Sequence, residues 1–353
     1  MTYSVNIDNI IVGRGHPCLV IAEAGVNHNG DMELAHKLID AAKKSGANAV
    51  KFQSFVAEDL VTPQAEKAVY QVQTTGSSGN QCDMLKALEL TYSQQEELKA
   101  HCEEIGIIYL CTPYEEKSAD LLKDLDVAAY KIASTDTNNL PFLRYIAKTD
   151  IPVILSTGMS SIGEVEDAVN VLKSNGLTGK IIILQCTSEY PVPINEINLQ
   201  AMKTMEQAFD CPVGFSDHTP GIGASPWAVA LGASVIEKHF TLNRNMDGPD
   251  HRASIEPHEL KILTNMIRDV EAALGDGIKR PMPSEIKNKT IMQKSLTARR
   301  NIPGGKIIKA EDLVCRRPGD GLLPKWFDKV SGKKATRDIK ENQTLTFGDV
   351  LWG

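Results

Sequence analysis

Short apolar runs alternate with amphipathic stretches along most of the chain. The runs lie at residues 19–22, 49–52, 107–111, 129–132, 153–155, 181–184, 212–214 and 234–237. Each is apolar enough to be buried on both faces of a parallel sheet. The stretches between them carry helical spacing. Asp31 stands at a helix start, Leu34, Leu38, Ala41 and Ala42 form one stripe, and Gly46 supplies a stop. Residues 162–172 and 256–274 repeat that pattern. Eight strand–helix units predict an α/β fold of the (β/α)8 TIM-barrel type, with an open doubly wound sheet as the alternative topology.

The rhythm breaks twice. Residues 58–90 form a longer polar insertion, with Gln71, Gln73, Thr74 and Gly76 in its middle, predicted to be a mobile loop over a binding face. After Gly275 the helical pattern stops at Pro281 and Pro283. The boundaries predicted are therefore a barrel at residues 1–275, a linker at 276–289, and a small β-rich domain at 290–353 broken by Pro303-Gly304-Gly305 and Arg317-Pro318-Gly319-Asp320-Gly321.

A length of 353 residues accommodates such a barrel with one added module. The formal charge of −7 is uneven, because residues 291–353 hold 13 Lys and Arg against 7 Asp and Glu. No aromatic-interleaved basic stripe accompanies this charge, so no nucleic-acid partner is expected; delivery of a cation to an anionic substrate fits better. No apolar run approaches the ~20 residues a bilayer span requires, so no membrane is expected either. Residues 1–14 lack an export signal, and seven cysteines without a CxxC pair argue against a disulfide framework. A cytoplasmic protein with reduced thiols is expected.

In a (β/α)8 barrel the working residues sit where strands end and the following loops begin. Those positions hold Glu23; Lys51 and Gln53; Thr112; Lys131 and Ser134; Ser156 and Thr157; Thr187 and Tyr190; Asp217 and His218; Glu237, Lys238 and His239. Lys51 and Lys131 are flanked by apolar neighbours, so their ammonium groups call for anions beside them. A phosphate and a carboxylate would serve, with the hydroxyls of Thr112, Ser134, Ser156 and Thr157 donating to the same oxygens. His218 and His239 follow consecutive strands and suit a divalent metal with open positions, or else are two hydrogen-bonded histidines that bind nothing. Asp217 is either an orienting partner of His218 or a turn residue.

Several segments carry a resemblance. They are Ile21-Ala-Glu-Ala-Gly-Val-Asn-His-Asn-Gly30, Val50-Lys-Phe-Gln53, Cys111-Thr-Pro-Tyr114, Tyr130-Lys-Ile-Ala-Ser134, Leu155-Ser-Thr-Gly-Met159, Cys186-Thr-Ser-Glu-Tyr-Pro191, Gly214-Phe-Ser-Asp-His-Thr219, Ile236-Glu-Lys-His-Phe-Thr241 and Gly248-Pro-Asp-His251. Together with Arg316-Arg317-Pro318-Gly319, these resemble the sialic acid synthase family over nearly the whole chain. The last domain resembles the antifreeze-like (SAF) domain of that family.

The resemblance implies an enzyme that joins phosphoenolpyruvate to an N-acylated mannosamine-type sugar. N-acetylmannosamine, giving N-acetylneuraminate, is the first choice of acceptor, and 2,4-diacetamido-2,4,6-trideoxymannose, giving N,N'-diacetyllegionaminate, is the alternative. Glu23, Lys51 and Lys131 are implied as catalytic, and Thr112, Ser134 and Ser156 as holding phosphoenolpyruvate with the lysines. His218 and His239 are implied as ligands of manganese or magnesium. Gln53, Tyr190 and Asp250 are implied as contacts to sugar or metal. Arg317 is implied to reach the sugar's N-acyl group across a homodimer with exchanged C-terminal domains. Two positions depart from many relatives: Asp136 stands where Glu is common, and Ser188 where some have Asn. Two other classes remain in view. A Schiff-base aldolase would use Lys51 or Lys131 without metal, and an ice-binding or interaction protein would use the last domain alone.

Overall fold

The computed structural model describes residues 3–353 apart from 63, 66, 68–71 and 73–79. The middle of the polar insertion, including Gln71, Gln73, Thr74 and Gly76, lies outside the described residues. The chain divides into two compact units, Met1–Gly275 and Asp276–Gly353.

The first unit opens with a hairpin absent from the sequence reading, β1 (Ser4–Ile7) and β2 (Ile10–Gly13). Eight parallel strands then close on themselves: β3 (Leu19–Gly25), β4 (Ala49–Ser54), β5 (Ile108–Pro113), β6 (Tyr130–Ile132), β7 (Val153–Ser156), β8 (Ile181–Cys186), β9 (Val213–Asp217) and β10 (Val235–His239). β10 pairs with β3 from Val235↔Leu19 to His239↔Glu23, which seals the barrel. The helix Met32–Lys44 starts where Asp31 accepts from the amides of Glu33 and Leu34, satisfying donors that a first turn otherwise leaves open.

Successive side chains of a strand point to opposite faces, and this alternation sorts the barrel's two cores. Leu19, Ile21, Ala49, Leu110, Ala129, Ile154, Ile182, Leu184 and Val235 point inward and pack with Val5, Ile7 and Val12 of the hairpin. The hairpin therefore closes the end at which the strands begin. Val20, Val50, Phe52, Cys111, Tyr130, Leu155, Ile183, Phe215 and Ile236 point outward, into the larger core shared with the helices. Gly214 takes an inward position on β9 where a Cβ would meet Val235 O at 2.5 Å and Leu184 Cδ2 at 2.6 Å, so its neighbours fill the space a side chain would need.

The outward face also holds a charged pair. Lys238 Nζ lies 3.1 Å from Asp217 Oδ1, both side chains almost without exposure, and Asp217 accepts further from Thr219 and Ser225. Asp217 thus makes a turn contact, to the Thr219 amide two residues on, and its charge is met by Lys238 rather than by His218.

The second unit has its own small core, including Leu296, Ile302, Ile308, Leu313, Leu322, Ile339, Leu345 and Val350. Two antiparallel pairs support it: β11 (Ser295–Ala298) with β12 (Leu313–Arg316), and β13 (Lys334–Ala335) with β14 (Val350–Leu351). One motif recurs. Arg300 pairs with buried Asp312, and Arg337 with buried Asp349, each aspartate at the end of a 3-10 turn. Residues 276–289, read from the sequence as a linker, include the start of the helix Pro283–Met292, with Pro283 in its first turn, where the missing amide costs nothing. No helix among the described residues is long and apolar enough to cross a membrane.

Breaking the Asp217–Lys238 pair from one side leaves a buried carboxylate without its cation. Lys238→Met should lower stability in urea unfolding by about 3–5 kcal/mol, and adding Asp217→Asn should restore part of that loss. A single variant as stable as the wild type would show the pair to be dispensable.

Candidate active site

Two residues beyond the apolar inward layer, every strand of the barrel presents its next inward position. Those positions are Glu23, Lys51, Thr112, Lys131, Ser156, Cys186, Ser216 and Glu237, and all eight line one cavity of about 580 Å³. The inward face thus changes from hydrocarbon to polar and charged groups at a single level, on the side where the strands end.

Four of the eight are charged and buried. Lys51 Nζ lies 2.5 Å from Glu23 Oε2 and 3.8 Å from Glu237 Oε2, while Lys131 Nζ lies 3.4 Å from Glu237 Oε1. Lys51 also donates to Thr112 Oγ1 at 3.0 Å, Ser216 Oγ donates to Glu237 Oε1 at 2.8 Å, and Gln53 Nε2 donates to Glu23 Oε1 at 3.2 Å. Burial pushes Glu23 up to about 7, with Lys51 opposing and Glu237 adding to the rise. Burial acts on Glu237 in the same sense, but Lys131 and Lys51 outweigh it and hold the carboxyl at about 2. The two buried carboxylates are therefore shifted in opposite directions, set by how many cations each one faces.

His218 and His239 stand together beside this quartet. Their ring centroids are 5.5 Å apart, and the Tyr190 ring lies 4.2 Å from His218 and 5.4 Å from His239. His218 Nδ1 is 2.7 Å from the Thr187 carbonyl. A carbonyl only accepts, so Nδ1 carries the proton and the lone pair of the neutral ring sits on Nε2. His239 Nδ1 is buried without a hydrogen-bond partner, as are Ser156 Oγ and Glu237 Oε2. Burial, then the charge of His218, pushes His239 well below the usual imidazole range and keeps it neutral. These donor atoms fit a divalent cation, with substrate and water oxygens completing its sphere. Among the described residues no group of three or more His, Cys, Asp or Glu side chains is gathered to hold a metal.

Around this centre the cavity is also lined by Gln53, Ser134, Tyr190 and Asp250. Ser134 Oγ accepts from the Gly158 amide at 2.9 Å, which leaves the serine proton to donate elsewhere. A Cβ on Gly158 would stand 2.2 Å from Ser188 Oγ and 2.8 Å from Ser134 Oγ, so both hydroxyls approach because this residue has no side chain.

Five of the barrel residues singled out in the sequence, Asp136, Thr157, Thr187, Asp217 and Lys238, are not among those lining the cavity. Thr157 occupies an outward position, and its hydroxyl donates to Leu184 O at 2.9 Å. Asp136 accepts from Asn139 Nδ2 at 3.0 Å and Thr135 Oγ1 at 3.3 Å, so its carboxylate is engaged within its own turn. Arg317 belongs to the second unit, where it is exposed. Glu237 stood at a strand end without a role, and Ser216 and Cys186 were passed over. Counting by two from the apolar inward residues finds all three and assigns Thr157 to the outer face.

The model of the NeuB family matches residues 38–279, and that of the SAF domain matches residues 293–351. N,N'-diacetyllegionaminic acid synthase of Campylobacter jejuni is 49% identical over 93% of this chain and 98% of its own length. Human N-acetylneuraminate-9-phosphate synthase is 36% identical over 95% of this chain and 93% of its own. The crystal structure of an N-acetylneuraminic acid (sialic acid) synthetase from Leptospira borgpetersenii, in complex with citrate, superposes with a TM-score of 0.73 at 34% identity. It covers 82% of this chain and 95% of that one.

Removing the carboxylate that faces both lysines should make the cavity more receptive to anions. In Glu237→Gln, inorganic phosphate is expected to bind roughly tenfold tighter, about 1.4 kcal/mol, and so to raise Tm more than in the wild type. An equal or smaller shift would mean that the two ammonium groups are not where the anion sits.

Proposed function

The chain belongs to the NeuB family, and from that premise we propose that it condenses phosphoenolpyruvate with an N-acylated mannosamine-type sugar and water, releasing phosphate. The observation that carries this reading is the pairing of Lys51 and Lys131 with Glu23 and Glu237 at one level of the barrel, beside the imidazoles of His218 and His239. It offers cationic seats for a phosphate and a carboxylate, a carboxyl able to move a proton near neutral pH, and a place for a cation. N-acetylmannosamine, giving N-acetylneuraminate, is one acceptor of this class. The 2,4-diacetamido-2,4,6-trideoxy sugar, giving N,N'-diacetyllegionaminate, is the second, favoured by the name of the Campylobacter relative.

Lys51 and Lys131 hold the phosphate and carboxylate oxygens, with Thr112, Ser134 and Ser156 donating hydroxyls. The methylene carbon of phosphoenolpyruvate forms the new bond to the aldehyde carbon of the open-chain sugar, whose oxygen takes up a proton. Water then adds to the former enol carbon, Glu23 accepts its proton, and phosphate departs by C–O cleavage. His218 and His239 would hold manganese or magnesium, which supplies Lewis-acid polarisation of the aldehyde oxygen.

The proposal extends to a homodimer in which Arg317 of one copy reaches the N-acyl group at the partner's barrel. The exposure of Arg317 and the basic balance of residues 291–353 support it. Cytoplasmic location is proposed on the seven free thiols and the co-substrate.

Incubation with phosphoenolpyruvate, manganese and each sugar should release phosphate and yield a nine-carbon 2-keto acid identified by mass. No release with either acceptor would overturn the proposal. EDTA should abolish the reaction, and His218→Ala and His239→Ala should each raise the metal concentration needed; full activity in EDTA would remove the metal from it. Glu23→Gln should still saturate with phosphoenolpyruvate yet turn over about 10²–10⁴-fold more slowly. Unchanged turnover would release Glu23 from proton transfer.

A further inference from the structure

Going round the barrel mouth, the cavity is not uniform. On the β6 and β7 arc stand Lys131, Ser134 and Ser156, and on the β8 to β10 arc stand Tyr190, His218, Glu237 and His239. The third arc, over β3 to β5, has a polar floor of Glu23, Lys51, Gln53 and Thr112, but the loops above it contribute something different. Val26 follows β3, Phe55, Leu60, Leu85 and Leu88 follow β4, and Tyr114 follows β5. These six form a cluster separate from both barrel cores, and every one of them lines the cavity. Phe55 and Tyr114 meet edge to face at 6.2 Å. Val26, Phe55 and Leu88 are buried and pack on one another, and the part-buried Leu60, Leu85 and Tyr114 rest on them at the cavity wall, so the wall offers a ligand an apolar face with firm backing.

We propose that this cluster is the acceptor-tail subsite, and that it selects a sugar whose end remote from the aldehyde carries methyl groups, as in a deoxy sugar, in place of hydroxyls. The inference rests on the reaction proposed above. The reacting aldehyde has to lie between the phosphate seat and the imidazole pair, because bond formation and polarisation occur there. Phosphoenolpyruvate takes the polar floor, Lys51 and Thr112 included, and the reacting end lies by the imidazoles, so the remainder of the sugar extends over the apolar loops above the third arc. A terminal hydroxymethyl group placed against Leu60 and Leu85, with Val26, Phe55 and Leu88 packed behind them, exchanges water for carbon, whereas a methyl group loses nothing and gains contact. One such group changes kcat/KM by about 10- to 200-fold in an apolar pocket. Specificity here is thus a property of the loops after three neighbouring strands, while the chemistry belongs to the strand ends beneath.

The test uses the full chain with phosphoenolpyruvate and manganese, comparing N-acetylmannosamine with its 6-deoxy counterpart, which differ by one oxygen, and then with the 2,4-diacetamido-2,4,6-trideoxy sugar. The 6-deoxy compound is expected to exceed N-acetylmannosamine by about tenfold or more in kcat/KM. Leu85→Gln and Leu60→Gln should each shrink or reverse that ratio, which is independent of the fraction of each variant that folds. A ratio of one or less in the wild type, or one unmoved in both variants, would overturn the subsite and leave the synthase standing. Absence of phosphate release with all three sugars would overturn the reaction itself, and the subsite with it.

Discussion

Everything at the mouth of the barrel depends on charge compensation inside a low-dielectric space. An ammonium group taken out of water costs several kcal/mol unless an anion is held close and its remaining protons find acceptors. Lys51 and Lys131 meet that requirement with Glu23, Glu237 and the Thr112 hydroxyl. The quartet has no net charge when all four groups are ionised, so the site is preorganised with its cations already desolvated. A phosphate arriving there then meets cations already stripped of most of their water, where attraction is stronger than at a surface.

That arrangement is possible because the barrel interior is layered. Apolar inward residues and the β1–β2 hairpin seal one end, so the polar layer above them rests on a dry floor. Neighbouring residues of one strand serve opposite ends. Glu237 points in and faces two lysines of the site, while Lys238 points out and neutralises Asp217 beneath the helices. A one-residue shift of β10 would exchange these roles and strand both charges, which ties the register of the barrel to the electrostatics of the site.

The second unit follows a different economy of construction. With few long elements, it repeats an Arg–Asp clamp around a short apolar core, once at Arg300 and Asp312 and again at Arg337 and Asp349. Each buried aspartate also accepts backbone amides at a 3-10 turn, so a charge-assisted contact does what a strand ladder does in a larger sheet.

Periodicity alone determined much of this protein. Eight apolar runs became eight barrel strands, Asp31 became a helix cap, and the inward-facing polar residues at the strand ends became the lining of one cavity. These were legible because burial on both faces and helix capping are local constraints, written in consecutive residues. Thr157 was legible too, since alternation from Ile154 already assigns it to the outer face. Other features arose only when distant segments met. The choice of Glu237 as the anion for both lysines, the shared environment of His218 and His239, and the engagement of Asp136 by Asn139 depend on distances that spacing in sequence does not encode. The same holds for the apolar cluster from Val26 to Tyr114, whose members sit on three separate loops. Sequence determined which side chains each strand carries and which way they alternate. Closure of the barrel decided which of them meet, because only the closed ring brings β3, β4, β6 and β10 to a common interior where a charge must find its partner.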